Sequence, residues 1–82
     1  MTAAEEIAAD NAARIASLSQ YQLVSLLYAT KGFSAMEEAR ARLISQGVIS
    51  DRRRQVLRKL NATNMCEACY IAGQVGVQWP SA

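Results

Sequence analysis

The sequence predicts an all-α fold: four or five short helices in a compact bundle, closed by an extended C-terminal arm. Three observations carry that expectation. A Ser, Thr or Asn followed three residues later by Glu or Gln recurs at Thr2–Glu5, Ser19–Gln22, Ser34–Glu37 and Asn64–Glu67, the signature of a helix N-terminus whose cap and third residue satisfy each other. Between these marks the apolar residues recur at helical spacing. The single proline, Pro80, leaves everything before it free to be helical.

The first helix opens at Thr2 and runs to about Ser17. Ile7, Ile15 and Leu18 fall on one stripe with Ala4 and Ala8, and Asn11 lies in the middle of it. A polar residue in such a stripe can fix register between paired helices or be satisfied at an edge. Ala9, Ala12, Ala13 and Ala16 make the opposite side small. In the stretch SLSQYQL, Ser19 caps the second helix with Gln22 as its partner, and Leu18 against Leu23 forms a hydrophobic staple. That helix, Gln20 to Thr30, carries Tyr21, Leu23, Val24, Leu26, Leu27 and Tyr28 over more than half its circumference, so it is expected to be central or shared with another chain.

Ser34 opens a third helix, expected over Ala35 to Gln46 with Met36, Ala39 and Leu43 buried. Gly47 then reads as its stop, with Leu43 and Val48 supplying the apolar contact of a Schellman turn. Ser50 or Asp51 is expected to cap a fourth helix with Val56, Leu57 and Leu60 inward. NATN, residues 61–64, favours a break, and Asn64 restarts a fifth helix through Ala72. Beyond it Val75, Val77 and Trp79 alternate with Gly76 and Gln78 in a period of two. The division expected is therefore a helical domain over 1–74 and an extended arm over 75–82.

Composition narrows the class of function. A chain of 82 residues with 51% hydrophobic and 20% charged residues is globular, but one that short buries only about 60% of its unfolded surface. A homodimer or higher oligomer is expected to supply further burial. The longest uncharged run, Ile15 to Thr30, is interrupted by Ser17, Ser19, Gln20, Gln22 and Ser25, too polar to span a bilayer. MTAAEE is acidic where a secretory leader would be basic. The expected compartment is the cytoplasm, where the NAT sequon at Asn61 has no meaning.

Charge is the most informative functional feature. Residues 40–59 hold Arg40, Arg42, Arg52, Arg53, Arg54, Arg58 and Lys59 against Asp51 alone, a surplus of six in a chain of net charge +2. The remainder therefore carries −4. One reading of the run is a solvated face, since Glu38 with Arg42 and Glu37 with Arg40 are favourable helical pairs that largely account for the first two arginines. The others are a protein-binding surface and a nucleic-acid-binding one. Arg52, Arg53 and Arg54 crowd a helix N-terminus, where positive charge is disfavoured, so something beyond local helix stability is expected to hold them. Arg53 is turned by helical spacing toward the core stripe, and an ion pair or an interface is expected for it. The helix–Gly–helix around Gly47 fails the pattern of a DNA-binding helix-turn-helix, because Arg42 and Arg53 fall where that motif buries apolar residues.

Other signals are weaker. Cys66 and Cys69 form a CxxC, but tetrahedral zinc needs four ligands and the chain has no histidine and no third cysteine. Only a two-fold dimer would supply four thiolates, and both cysteines are expected to pack as small hydrophobes. Tyr21 and Tyr28, seven apart, are expected along one edge of the second helix. There is no Gly-rich phosphate loop and no nucleophile beside a base. The expectation is a non-enzymatic regulator or inhibitor, without cofactor or metal, that docks on a larger macromolecule, in the manner of small phage or mobile-element proteins that block host machinery. Tyr21, Tyr28, Arg52, Arg53, Arg54, Arg58, Lys59 and Trp79 are its expected contacts. Protein is favoured over nucleic acid as partner, and the alternative is a nucleic-acid-binding regulator using residues 52–59.

Overall fold

The structure, a computed structural model, describes residues 2–79. Five helices follow one another: α1 (Ala3–Ala16), α2 (Gln20–Thr30), α3 (Ala35–Arg42), α4 (Gln46–Leu60) and α5 (Met65–Val75). No strand occurs among the described residues. The chain is all-α and compact, with a radius of gyration of 12.7 Å.

The expected punctuation forms as hydrogen bonds. Thr2, Ser19 and Ser34 each accept from the backbone N–H three residues on, and Glu5, Gln22 and Glu37 each return the bond to the cap residue's N–H. Asn64 Oδ1 accepts from Glu67 N at 2.9 Å, while Glu67 Oε2 reaches back one residue further, to Thr63 N at 3.1 Å. Satisfying these orphan donors fixes where each helix begins.

The joint between α3 and α4 lies upstream of the expected place. Helix α3 stops at Arg42, because Leu43 takes the left-handed conformation at φ 55°, ψ 42°. Ser45 then caps α4, its hydroxyl accepting from Val48 N at 3.3 Å. Gly47 is consequently inside the first turn of α4 and not a stop, and Ser50 and Asp51 are interior residues of that helix. Leu43, expected in the core, is 92% exposed, and Met36 is exposed too. Helices α4 and α5 are separate, since Asn61 is left-handed at φ 53° and ends α4. Helix α5 continues past Ala72 to Val75 and closes on Gly76 at φ 76°. Val75 is thus helical, Val77 to Trp79 follow without regular structure, and residues 80–82 of the expected arm lie outside the described residues.

The core is built where α2, α4 and α5 meet the C-terminal half of α1. Ile15, Leu26, Val56, Leu60, Ala68, Ile71 and Ala72 form one buried cluster, with Leu18, Leu23 and Leu57 packed against it. Leu27 and Ile49 are buried as well. The buried residues of α2 and α5 thus pack against α4 and α1 of the same chain. The N-terminal half of α1 differs: Ile7 is 60% exposed, and only Asn11 and Ile15 of that helix are buried. Asn11 has an intrachain partner, its Nδ2 lying 3.5 Å from Gln74 Oε1.

A polar element ties α2, α3 and α4 together. Glu38 is wholly buried. Its Oε2 accepts from Ser25 Oγ at 2.7 Å and from Arg42 Nη1 at 2.6 Å. Its Oε1 accepts from Arg53 Nε at 3.0 Å, with Arg53 Nη2 2.9 Å away. Arg53 Nη2 also donates to the Phe33 carbonyl at 2.8 Å. A buried carboxylate is tolerable only when its lone pairs are filled and its charge is matched, and here one serine and two guanidinium groups do both.

Candidate docking face

Helix α4 presents its apolar and polar sides as two stripes. Ile49, Val56 and Leu60 point into the core, and Arg53 lies among them on Glu38. A second stripe at helical spacing, Val48, Arg52, Gln55 and Lys59, runs along the flank that meets α2 and the α1–α2 joint. Three contacts place it there. The Arg52 guanidinium stacks 4.9 Å from the centre of the Tyr21 ring. Gln55 Oε1 accepts from Gln22 Nε2 at 2.8 Å. Lys59 Nζ donates to the Ser17 carbonyl at 3.0 Å, at the end of α1.

The last of these bonds has a reciprocal counterpart. Lys59 serves the C-terminus of α1, and Arg14 Nη1 of α1 lies 3.5 Å from the Leu60 carbonyl at the C-terminus of α4. Each cation faces the negative end of the other helix's dipole. They lock α1 to α4 without using a carboxylate, so their charge is not cancelled locally.

Tyr21 is the exposed aromatic of this face, 65% open to solvent although it is fixed on Arg52. An arginine beneath a tyrosine ring holds the ring by cation–π attraction and leaves the opposite ring face free. Arg52 Nη1 is buried there with no hydrogen-bond acceptor among the described residues. Arg54 shares its charge with Asp51 at 2.9 Å on an open surface, a pair worth little in water. Arg58 is exposed and makes no ion pair among the described residues.

Three of the residues expected to make contacts are elsewhere. Arg53 turns inward, with 11% of its side chain exposed, and takes no place on the face. Its misfit in the apolar stripe was legible; its partner on α3 was not. Tyr28 shares the edge of α2 with Tyr21 but sits two turns further on, where it belongs to a second cluster. Its ring meets Phe33 and Trp79 edge-on, each at 5.2 Å between centroids. Arg42 approaches the Tyr28 ring at 5.7 Å and Lys31 the Trp79 ring at 5.0 Å. Tyr28 and Trp79 therefore staple the chain after α5 onto the α2–α3 joint.

Leu43 is the residue that sequence reasoning placed wrongly. A branched, non-glycine residue in left-handed backbone costs roughly 1–2 kcal/mol relative to right-handed helix, and here its side chain gains no burial in return. Val48, at the head of the polar stripe, is exposed with it, as is Met36. The only clue in the sequence was that Ser45 could serve as a cap, and with Val48 three residues on it lacked the returning Glu or Gln.

No helix among the described residues is long and apolar enough to cross a membrane. No family model, curated protein or solved structure matches this chain.

Proposed function

We propose that this chain is a small non-enzymatic regulator or inhibitor that docks through the Tyr21–α4 face on an acidic surface of a larger protein. The observation that carries the reading is Tyr21, held open on Arg52, with Gln55 and Lys59 further along the same stripe of α4. Tyrosine and arginine are the residue types that dominate interface energetics, and a ring already fixed by its own neighbour loses little freedom on binding. A surface with uncancelled positive charge steers acidic partners and sets the rate of encounter. Leu43 and Val48 would add an apolar margin at one end of the stripe.

Nucleic acid is the competing partner for such a face. The protein reading is favoured because Arg53 is withdrawn to Glu38 and Arg54 is shared with Asp51, which thins the row of cations that would track phosphates. Two measurements separate the readings. Capture from source-cell extract, with wild type and with Tyr21→Ser plus Arg52→Ser, is expected to yield a stoichiometric protein retained only by wild type. Anisotropy with random duplex and single-stranded DNA at two salt concentrations is expected to show no specific, salt-steep binding. A steep salt slope, lost in Arg54→Ala plus Arg58→Ala, would replace the protein reading with the nucleic-acid one.

A further inference from the structure

The first turns of α5 read Met65, Cys66, Glu67, Ala68, Cys69. Cys69 lies three residues after Cys66 and four after Met65, so its side chain neighbours both of theirs on the helix surface. The expectation that both cysteines are packed away fails, because Cys66 is exposed and Cys69 is half-buried. Met65, Cys66 and Cys69 all line one groove of about 480 Å³, whose other wall includes Gly32, Phe33 and Arg53. Glu67 does not line it, its carboxylate being used on the backbone of Thr63.

We propose that Cys66 and Cys69, with Met65 as a weaker third ligand, form a single-chain site for a soft monovalent cation of the Cu(I) class. Two thiolates and a thioether are the donor set that selects Cu(I) over harder metals. Zinc wants four nitrogen, sulfur or carboxylate ligands, and no group of three His, Cys, Asp or Glu residues capable of holding a metal occurs among the described residues. Binding converts two thiols to thiolates, releases two protons to solvent and leaves a centre of charge −1. Two features of the groove suit that charge: the Arg53 guanidinium on its wall, and the first-turn N–H groups of α5. Protons compete for the same sulfurs, because only the thiolates bind the metal. Affinity therefore rises with pH.

The test is an anaerobic titration of the reduced full chain with Cu(I) against a chromogenic chelator, with native mass spectrometry for stoichiometry. One Cu(I) per chain is expected, bound more tightly as pH rises. Cys66→Ser and Cys69→Ser should each weaken binding by at least about a hundredfold, since even the outer partners of metal ligands are worth roughly 10–100-fold. Met65→Leu should weaken it less than either. Far-UV circular dichroism confirms that each variant keeps its helices; alkylated wild type, which should also lose the metal, serves if Cys69→Ser does not fold. Zinc at the same concentration should remain unbound. Half an equivalent of copper per chain, zinc bound in preference, or copper retained by the double serine variant would each overturn the proposal.

Discussion

Arg53 Nε donates to Glu38 Oε1 at 3.0 Å, joining α4 to α3 through a carboxylate that has no solvent exposure. Arg42 and Ser25 complete its shell. The arrangement explains why an arginine occupies the inward stripe of α4, and it orients the helix whose other flank is the candidate docking face.

Removing the carboxylate alone strands two guanidinium groups. Glu38→Ala should lose about 3–5 kcal/mol of stability, whereas replacing Glu38, Arg42 and Arg53 together by apolar residues of similar volume should be near neutral or stabilising. Urea denaturation of both variants checks this. A loss below about 1 kcal/mol for Glu38→Ala, the worth of a surface pair, would mean the cluster is solvated.

The α3–α4 joint gives opposite predictions for two readings of one glycine. Gly47 is in the first turn of α4, at an ordinary φ, with open space where a Cβ would go. Gly47→Ala should therefore gain about 0.5–1 kcal/mol; a stop in left-handed backbone would lose stability instead. Leu43→Gly should gain about 1 kcal/mol by relieving left-handed strain while weakening partner binding if Leu43 is a contact. Thermal melts distinguish these outcomes.

Glu37 should contribute to the acid limb of stability. The Ser34 backbone N–H, then the Ser34 hydroxyl, hold its carboxyl below the ordinary range, with Arg40 adding in the same direction. A folded-state value below the unfolded one gives stability that is present above the unfolded value and lost as pH falls through the folded one. Glu37→Gln should flatten the urea midpoint between about pH 5 and about pH 3 while keeping most of the cap. An unchanged slope would show that the bond to Ser34 does not persist in solution.

The two thiols should differ in reactivity. Cys66 is exposed, while Cys69 is half-buried with its thiol pushed up by burial and by Cys66. Because thiolate is the nucleophile, iodoacetamide at mildly alkaline pH should alkylate Cys66 first, as peptide mapping would show. Equal rates would mean that α5 opens easily at its first turn.

The helix starts at Thr2, Ser19, Ser34 and Asn64 were legible because each cap and its third residue lie in one short word of sequence. The α3–α4 joint was not. Gly47 resembled a stop, and nothing local marks Leu43, a branched residue, as the one that turns left-handed. Glu38 was legible as the helical partner of Arg42; that it also receives Arg53 from the next helix is a tertiary fact no local spacing encodes. At the candidate face, the cations of α4 could be read from charge alone. Their pairing with Tyr21, Gln22 and Ser17 could not, because it depends on how α4 crosses α2 and the end of α1. The same dependence parted Tyr28 and Trp79 from Tyr21.

The central proposal is tested by the amide chemical-shift footprint that a protein captured from source-cell extract leaves on this chain. Perturbation is expected to concentrate at Tyr21, Arg52, Gln55, Arg58 and Lys59, to extend to Leu43 and Val48, and to be abolished by Tyr21→Ser plus Arg52→Ser in a chain that still melts cooperatively. A footprint on Ile7 and the exposed half of α1, or on Tyr28 and Trp79, with the α4 stripe silent, would contradict it.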